Sequence, residues 1–302
     1  MTDRHRIWVD SGGVRIAVTR WGAADPRKPA ALLLHGTGFM AEIWDEVACG
    51  LASRYVVYGM DRRGHGASDK PAAGNYHFAD YASDVCAIIE GLDLRNVYGI
   101  GHSAGATDLL LAARLLPQRF SRLFVMEPTV MHPRANQGSS PRLSDKGMAS
   151  VQGVLRRQAE FDSADAAYQR FRAAPAFADW TEPVLWAYVR HGFEQLPDGR
   201  VRLLCTPETE AAMLLPIFEA MEQVYAGDER GNPFGWLSEI ECPVRITTAE
   251  KSWSIYRDMA ARAAALIPAA STLTFKGVDH CVAQEAPELL LQALEAFETD
   301  AG

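Results

Sequence analysis

The chain has 302 residues, 48% of them hydrophobic, which is enough to bury one large core or one core plus an insertion. Its net charge of -8 is spread over short clusters rather than gathered into tails or basic runs, which argues against nucleic acid as a partner. The opening Met1–Arg6 is polar, no apolar run of secretory-signal length follows, and no stretch of about 18 apolar residues occurs anywhere, so a cytoplasmic protein without a membrane partner is expected.

Ile7 to Asp10 and Val14 to Arg20 are short and β-rich and flank Ser11-Gly12-Gly13, which predicts a hairpin. Short apolar runs then follow at Ala31 to Leu34, Tyr55 to Tyr58, Val97 to Ile100 and Leu123 to Met126. Segments of helical period separate them, at Glu42 to Ala52, Tyr81 to Leu92 and Ser103 to Leu116. Strands alternating with helices predict a parallel sheet. The same rhythm resumes with the strand Val244 to Thr247, a helix near Ile255 to Leu266, the strand Thr272 to Phe275 and a closing helix from Pro287.

Between these halves, roughly His132 to Trp236 carries almost no strand signal and is too long for an ordinary connection, so it reads as an insertion with helices of its own. Arg134 to Ser144 looks like a linker, while Val151 to Phe171, Glu182 to Phe193 and Glu208 to Tyr225 look helical. Five cysteines, at 49, 86, 205, 242 and 281, are odd in number and irregular in spacing. Free buried thiols are expected rather than a disulfide framework or a zinc site.

Gly101-His102-Ser103-Ala104-Gly105 follows a strand and opens a helix, the setting in which a G-x-S-x-G turn exposes its serine. Alone, the pattern could also be an N-cap with small neighbours. A second glycine-rich turn, His35-Gly36-Thr37-Gly38, closes an earlier strand, and the N–H groups of Thr37 and Ala104 are the candidate oxyanion donors. Asp61 to Ser68 closes another strand, and its charges and glycines suit a tight scaffolding loop.

These motifs, with the late Gly277-Val278-Asp279-His280, resemble the α/β-hydrolase superfamily in order and spacing. The resemblance implies an α/β fold with an eight-stranded, mostly parallel sheet and no metal or organic cofactor. It also implies a core formed by residues 1–131 and 237–302, with residues 132–236 inserted between the sixth and seventh strands as a helical cap. His280 stands where members carry their histidine, and a serine hydroxyl needs such a base beside it at neutral pH. Cys281 adjoins it but has a weaker context as a nucleophile than Ser103.

The acid that orients the imidazole has two candidate positions. Most members place an Asp after the penultimate strand, where this chain reads Ala249-Glu250-Lys251-Ser252, with Ser252 at the expected Asp position. The other position is Glu127, at the end of the strand after the nucleophile helix. There the chain resembles haloalkane dehalogenases and zearalenone-type lactonases, although Ser103 excludes dehalogenase chemistry. Glu127 is the expected acid and Glu250 the alternative.

Gly36 and His102, beside the oxyanion turn and the serine, are candidate substrate contacts. Aromatic and methionine residues from Trp180 to Trp236 should mostly build the cap's own core, with Trp186 and Met213 to Phe218, Met213 and Phe218 foremost, facing the cleft. The expected activity is hydrolysis of a bulky, apolar small-molecule ester or lactone by a monomer or homodimer. Carbon–carbon bond hydrolase, thioesterase and amidase share the machinery; a cofactor-free lyase or perhydrolase, or a non-catalytic receptor, are the rivals.

Overall fold

The structure is a computed structural model that describes residues 3–72, 75–130, 142–225 and 234–300. Eight strands form one sheet: β1 (Arg4–Ser11), β2 (Val14–Trp21), β3 (Ala30–Leu34), β4 (Val56–Met60), β5 (Val97–His102), β6 (Phe120–Met126), β10 (Val244–Ala249) and β11 (Ala270–Phe275). Their spatial order is β1-β2-β4-β3-β5-β6-β10-β11. The β1–β2 hairpin and the β2–β4 pair are antiparallel, and every other pairing is parallel. This is the eight-stranded, mostly parallel sheet that the motifs imply.

Alternation along the strands divides the core between two faces. Ala31, Leu33, Tyr98, Ile100, Phe124 and Met126 pack with Val47 and Leu51 of α1 (Asp45–Leu51) and with Leu290, Leu294 and Phe297 of α10 (Pro287–Asp300). Their neighbours Leu32, Leu34, Val97, Leu123 and Val125 pack on the other side. There they meet α2 (Phe78–Gly91), α3 (Ala104–Leu115) and α8 (Ser254–Leu266). Sheet residues buried on both faces explain why these strands read as continuous apolar runs.

The segment between β6 and β10 departs from its purely helical reading. Its helices are α4 (Arg142–Leu155), α5 (Ala164–Arg172), α6 (Glu182–His191) and α7 (Pro207–Tyr225), and three short strands accompany them: β7 (Glu160–Phe161), β8 (Phe193–Gln195) and β9 (Val201–Leu203). They form an antiparallel sheet in the order β7-β9-β8. The predicted helix Val151 to Phe171 is therefore two helices: the chain turns out of α4 after Leu155, and Glu160–Phe161 pairs with Val201–Arg202. Two- and three-residue strands are too short to display alternation, which is why the sequence conceals them. Most of the linker expected at Arg134 to Ser144 lies outside the described residues, and its last three residues begin α4. Among the described residues no helix is long and apolar enough to cross a membrane.

Candidate active site

The carboxyl ends of parallel strands are where open α/β sheets gather functional groups. Here β5 ends at His102 and β6 at Met126, which are register partners, so Ser103 and Glu127 leave the sheet side by side. The Ser103 amide donates to the Met126 carbonyl at 2.8 Å, and the Glu127 amide donates to the Thr247 carbonyl within β10 at 2.9 Å. Both residues have positive φ, 53° at Ser103 and 47° at Glu127, a conformation that costs a non-glycine residue energy and persists only where surroundings enforce it.

Close packing explains the glycines around Ser103. A Cβ on Gly105 would stand 2.5 Å from the His35 carbonyl oxygen, and one on Gly101 would stand 2.7 Å from the Ala106 Cα. Only hydrogen fits at either place, so the turn from β5 into α3 can be this sharp. Ala104 is the first residue of α3, so its N–H has no acceptor within the helix and is open to a ligand. It lines a cavity of about 380 Å³ together with Ser103, Thr37, Gly36, His102 and His280.

His280 arrives on the loop between β11 and α9 (Val282–Glu285). Its Nδ1–H points at Glu127 Oε2, 2.5 Å away. Glu127 is 1% exposed, and two further donors hold it: the Ala249 amide at 2.9 Å on Oε1 and the Ser252 hydroxyl at 2.8 Å on Oε2. A buried carboxylate with three donors is compensated as an anion. Ser252, at the position where the family resemblance leads to an expected Asp, thus supports a carboxylate supplied from the end of β6.

The imidazole is held from its faces as well. The Tyr256 ring stacks on His280 with centroids 4.2 Å apart and planes 19° apart, and His102 packs on it at 4.5 Å. Burial pushes the Tyr256 phenol up to about 12, so this ring stays neutral. His102 Nε2–H donates to the His280 carbonyl oxygen at 2.9 Å, and burial first, then the neighbouring His280, keeps the His102 ring well below its usual pKa and uncharged. The sequence offered Ser252 as a signal through its position. Nothing in it distinguished Tyr256 from other aromatics in a helix.

Glu250 is placed elsewhere. Its carboxylate accepts from the Gly277 amide at 3.0 Å and from Lys276 Nζ at 3.1 Å, remains 48% exposed, and is held below its usual pKa by the Gly277 bond and then by Lys276. It steadies the turn that leads to His280 rather than touching the ring. Burial pushes the Cys281 thiol up to about 12, which removes the thiolate needed for a nucleophile at neutral pH.

The scaffolding histidines are neutral and fully used. His35 Nδ1–H donates to the Gly36 carbonyl at 2.7 Å while Nε2 accepts from the Arg62 amide at 3.1 Å, and burial lowers its pKa to about 4. His65 Nε2 accepts from the Gly38 amide at 3.0 Å, fixing the turn that carries Thr37. In the Asp61 loop, Asp61 accepts from the amides of Ala41 and Ala67 and from Arg6, and Ser68 donates to the Asp61 carbonyl.

Of the substrate contacts expected between β6 and β10, Phe218 lines the Ser103 cavity with Leu214 and Ile217, one face of α7. Two others do not line it. Trp186 stacks on Tyr168 with centroids 4.2 Å apart, and Met213 is buried with Tyr76, Tyr81 and Cys205. Both are packing residues because α6 and α7 turn those positions toward neighbouring elements rather than toward the cleft.

A parallel sheet with helices on both faces, a strained serine at a strand-to-helix turn and a carboxylate-bound histidine define the hydrolase class. The chain belongs to the alpha/beta hydrolase family, whose model matches residues 31–293. It is 26% identical over 298 residues to a 2-(acetamidomethylene)succinate hydrolase of Mesorhizobium japonicum, covering 96% of this chain and 93% of that one. It is 27% identical over 294 residues to a non-heme chloroperoxidase of Streptomyces lividans, covering 95% and 97%. Among solved structures, an E-2-(acetamidomethylene)succinate hydrolase superposes with a TM-score of 0.78 at 22% identity, covering 98% of this chain and all of that one. A thioesterase domain from the curacin biosynthetic pathway superposes with a TM-score of 0.74 at 19% identity, covering 97% and 99%.

Proposed function

We propose that this protein is a serine hydrolase that cleaves a carboxylic ester or lactone through an acyl-enzyme on Ser103. The observation that carries the reading is the 2.5 Å contact of His280 Nδ1 with Glu127 Oε2, made by a histidine that lines the same cavity as Ser103. With Nδ1–H given to Glu127, the neutral ring has its lone pair on Nε2, the tautomer a general base requires.

In the proposed cycle, His280 takes the hydroxyl proton as Ser103 Oγ bonds to the carbonyl carbon. The N–H groups of Thr37 and Ala104 receive the oxyanion. Glu127 stabilises the imidazolium, which passes its proton to the departing alkoxide oxygen. Water, deprotonated by the same imidazole, then adds to the acyl carbon and releases the acid. The described part of residues 132–236 acts as the cap, with Leu214, Ile217 and Phe218 giving the cavity one apolar wall and a bulky small-molecule ester or lactone as its ligand.

A fluorophosphonate probe followed by peptide mass spectrometry tests the reading. The adduct is expected on Ser103 and is lost in His280→Ala. Absence of labelling in the intact protein, or labelling on another residue, would sink it. Similarity to a chloroperoxidase favours perhydrolysis as a second reading, in which hydrogen peroxide replaces water at the acyl carbon. Peracid formation measured with acetate and peroxide distinguishes the two.

A further inference from the structure

The apolar cavity beside Ser103 has one polar corner that the proposed cycle does not use. Arg62, on the loop after β4, and Asp108, five residues beyond Ser103 and about 7 Å along α3, both line the cavity although they are only 2% and 1% exposed. Arg62 Nε donates to Asp108 Oδ2 at 2.6 Å, and Nη2 lies 3.4 Å from Oδ1. The guanidinium lies over the Tyr81 ring, 4.0 Å from its centroid. Taking two charges from water costs several kcal/mol per ion, and well-packed apolar residues would join α3 to this loop at least as firmly. Structural cohesion alone is therefore a poor account of the pair.

Two donors in this corner lack acceptors. Among the described residues Arg62 Nη1 makes no hydrogen bond, and the Tyr81 hydroxyl, on a side chain 1% exposed that also lines the cavity, has no partner. A buried hydroxyl without a partner is costly, so its presence on a cavity wall, beside an unbonded guanidinium nitrogen, points to a ligand oxygen. The pair is already neutral in sum, so a second full charge would be desolvated without a free counter-ion. A hydroxyl fits both partners, accepting from Arg62 or Tyr81 and donating to Asp108, and a keto oxygen fits the donors.

We propose that Arg62, Asp108 and Tyr81 form a polar subsite for a neutral hydroxyl or keto oxygen that the substrate carries several atoms from its reacting carbonyl. The proposal rests on the hydrolase reading for the reacting group and names the substrate class as oxygenated acyl esters or lactones.

Binding can be measured apart from turnover. In Ser103→Ala, calorimetry would compare ethyl hexanoate with its 3-, 4-, 5- and 6-hydroxy and keto counterparts. At least one oxygenated ester is expected to bind tenfold or more tightly than the parent, with Tyr81→Phe and the double variant Arg62→Leu/Asp108→Leu each reducing that gain. Parent binding equal to or tighter than every oxygenated ester overturns the proposal, as does a gain that survives in Tyr81→Phe and in the double variant. Should the double variant not fold, the parent comparison and Tyr81→Phe decide. Tighter binding of monoethyl adipate than of any neutral analogue also overturns it. Turnover of the same esters by the intact protein is read separately: a binding gain without turnover removes the hydrolase reading and keeps the subsite, and turnover without a gain does the reverse.

Discussion

Ser252 Oγ and His280 Nδ1 donate to the same oxygen of Glu127, at 2.8 and 2.5 Å. The Ser252 hydroxyl, at the position where the resemblance implies an aspartate, therefore fixes the carboxylate instead of substituting for it. If Glu127 is the acid of the triad, Glu127→Gln removes the charge that stabilises imidazolium and lowers kcat by about a thousandfold or more. Glu250→Gln, on the exposed turn, is expected to keep kcat within a few-fold. Steady-state kinetics on any ester the protein turns over would reverse the assignment if the two variants behaved the other way round.

Ser252→Ala removes one of three donors to a buried carboxylate. A hydrogen bond to a charged group contributes about 1.5–3 kcal/mol, so kcat should fall by about tenfold or more and Tm should drop. Ser252→Asp is predicted to be worse despite restoring the common residue. It sets a second carboxylate against Glu127, and its Tm deficit should grow between pH 5 and pH 8 as the pair is forced to ionise. Thermal scans across that range show whether the deficit is flat, which would contradict the shared-oxygen geometry.

Tyr256 stacks on His280 at 4.2 Å. Tyr256→Phe retains the ring and should preserve kcat, whereas Tyr256→Ala frees the imidazole and should cost about tenfold, in line with an aromatic contact of about 0.5–1.5 kcal/mol. A similar loss in both variants would assign the effect to the hydroxyl.

Glu42 is buried, and Arg6 donates to it at 2.7 Å and to the neighbouring Asp61 at 2.8 Å. Burial first, then Asp61, pushes the Glu42 carboxyl up to about 7. A folded-state pKa above the unfolded value means that the folded chain binds the extra proton. This contribution is complete below the ordinary carboxylate range and is lost as pH rises through about 7. Glu42→Gln should therefore gain in Tm relative to the parent as the pH is taken from 5 to 8, and a constant difference would refute the shift.

Phe218 lines the cavity and Trp186 does not, although both are aromatic and both lie on helices between β6 and β10. Phe218→Ala is expected to lower kcat/KM for bulky acyl groups by about tenfold or more, the value of losing apolar contact in a pocket. Trp186→Ala should lower Tm, through the stack on Tyr168, with little change in kcat/KM. The two measurements together separate pocket from packing.

The parallel sheet, the serine turn and both positions weighed for the acid were legible because each is encoded locally: buried strands are continuously apolar, and glycines mark where Ser103 must turn. Glu127 could be preferred from its place at a strand end, but only β6–β10 pairing shows Ser252 and Ala249 reaching it. The three strands β7, β8 and β9 escaped notice because segments of two or three residues carry no period. Trp186 and Met213 misled for a related reason. Helical spacing identifies an apolar face without saying whether a cleft or another helix covers it.

Ser103 and Glu127 leave adjacent interior strands of the sheet, so two of the three groups of the proposed triad are borne by paired strands rather than by a long loop. The last residue of β10 and the segment joining it to α8 are left with an accessory duty, an amide and a hydroxyl aimed at Glu127. A loop relieved of supplying a charge can change length and side chains with little chemical penalty, provided those two donors survive. Trp253 and Ile255 of that loop and the start of α8 already line the cavity, so it is ground on which new substrate preferences can evolve while the reacting groups stay in place.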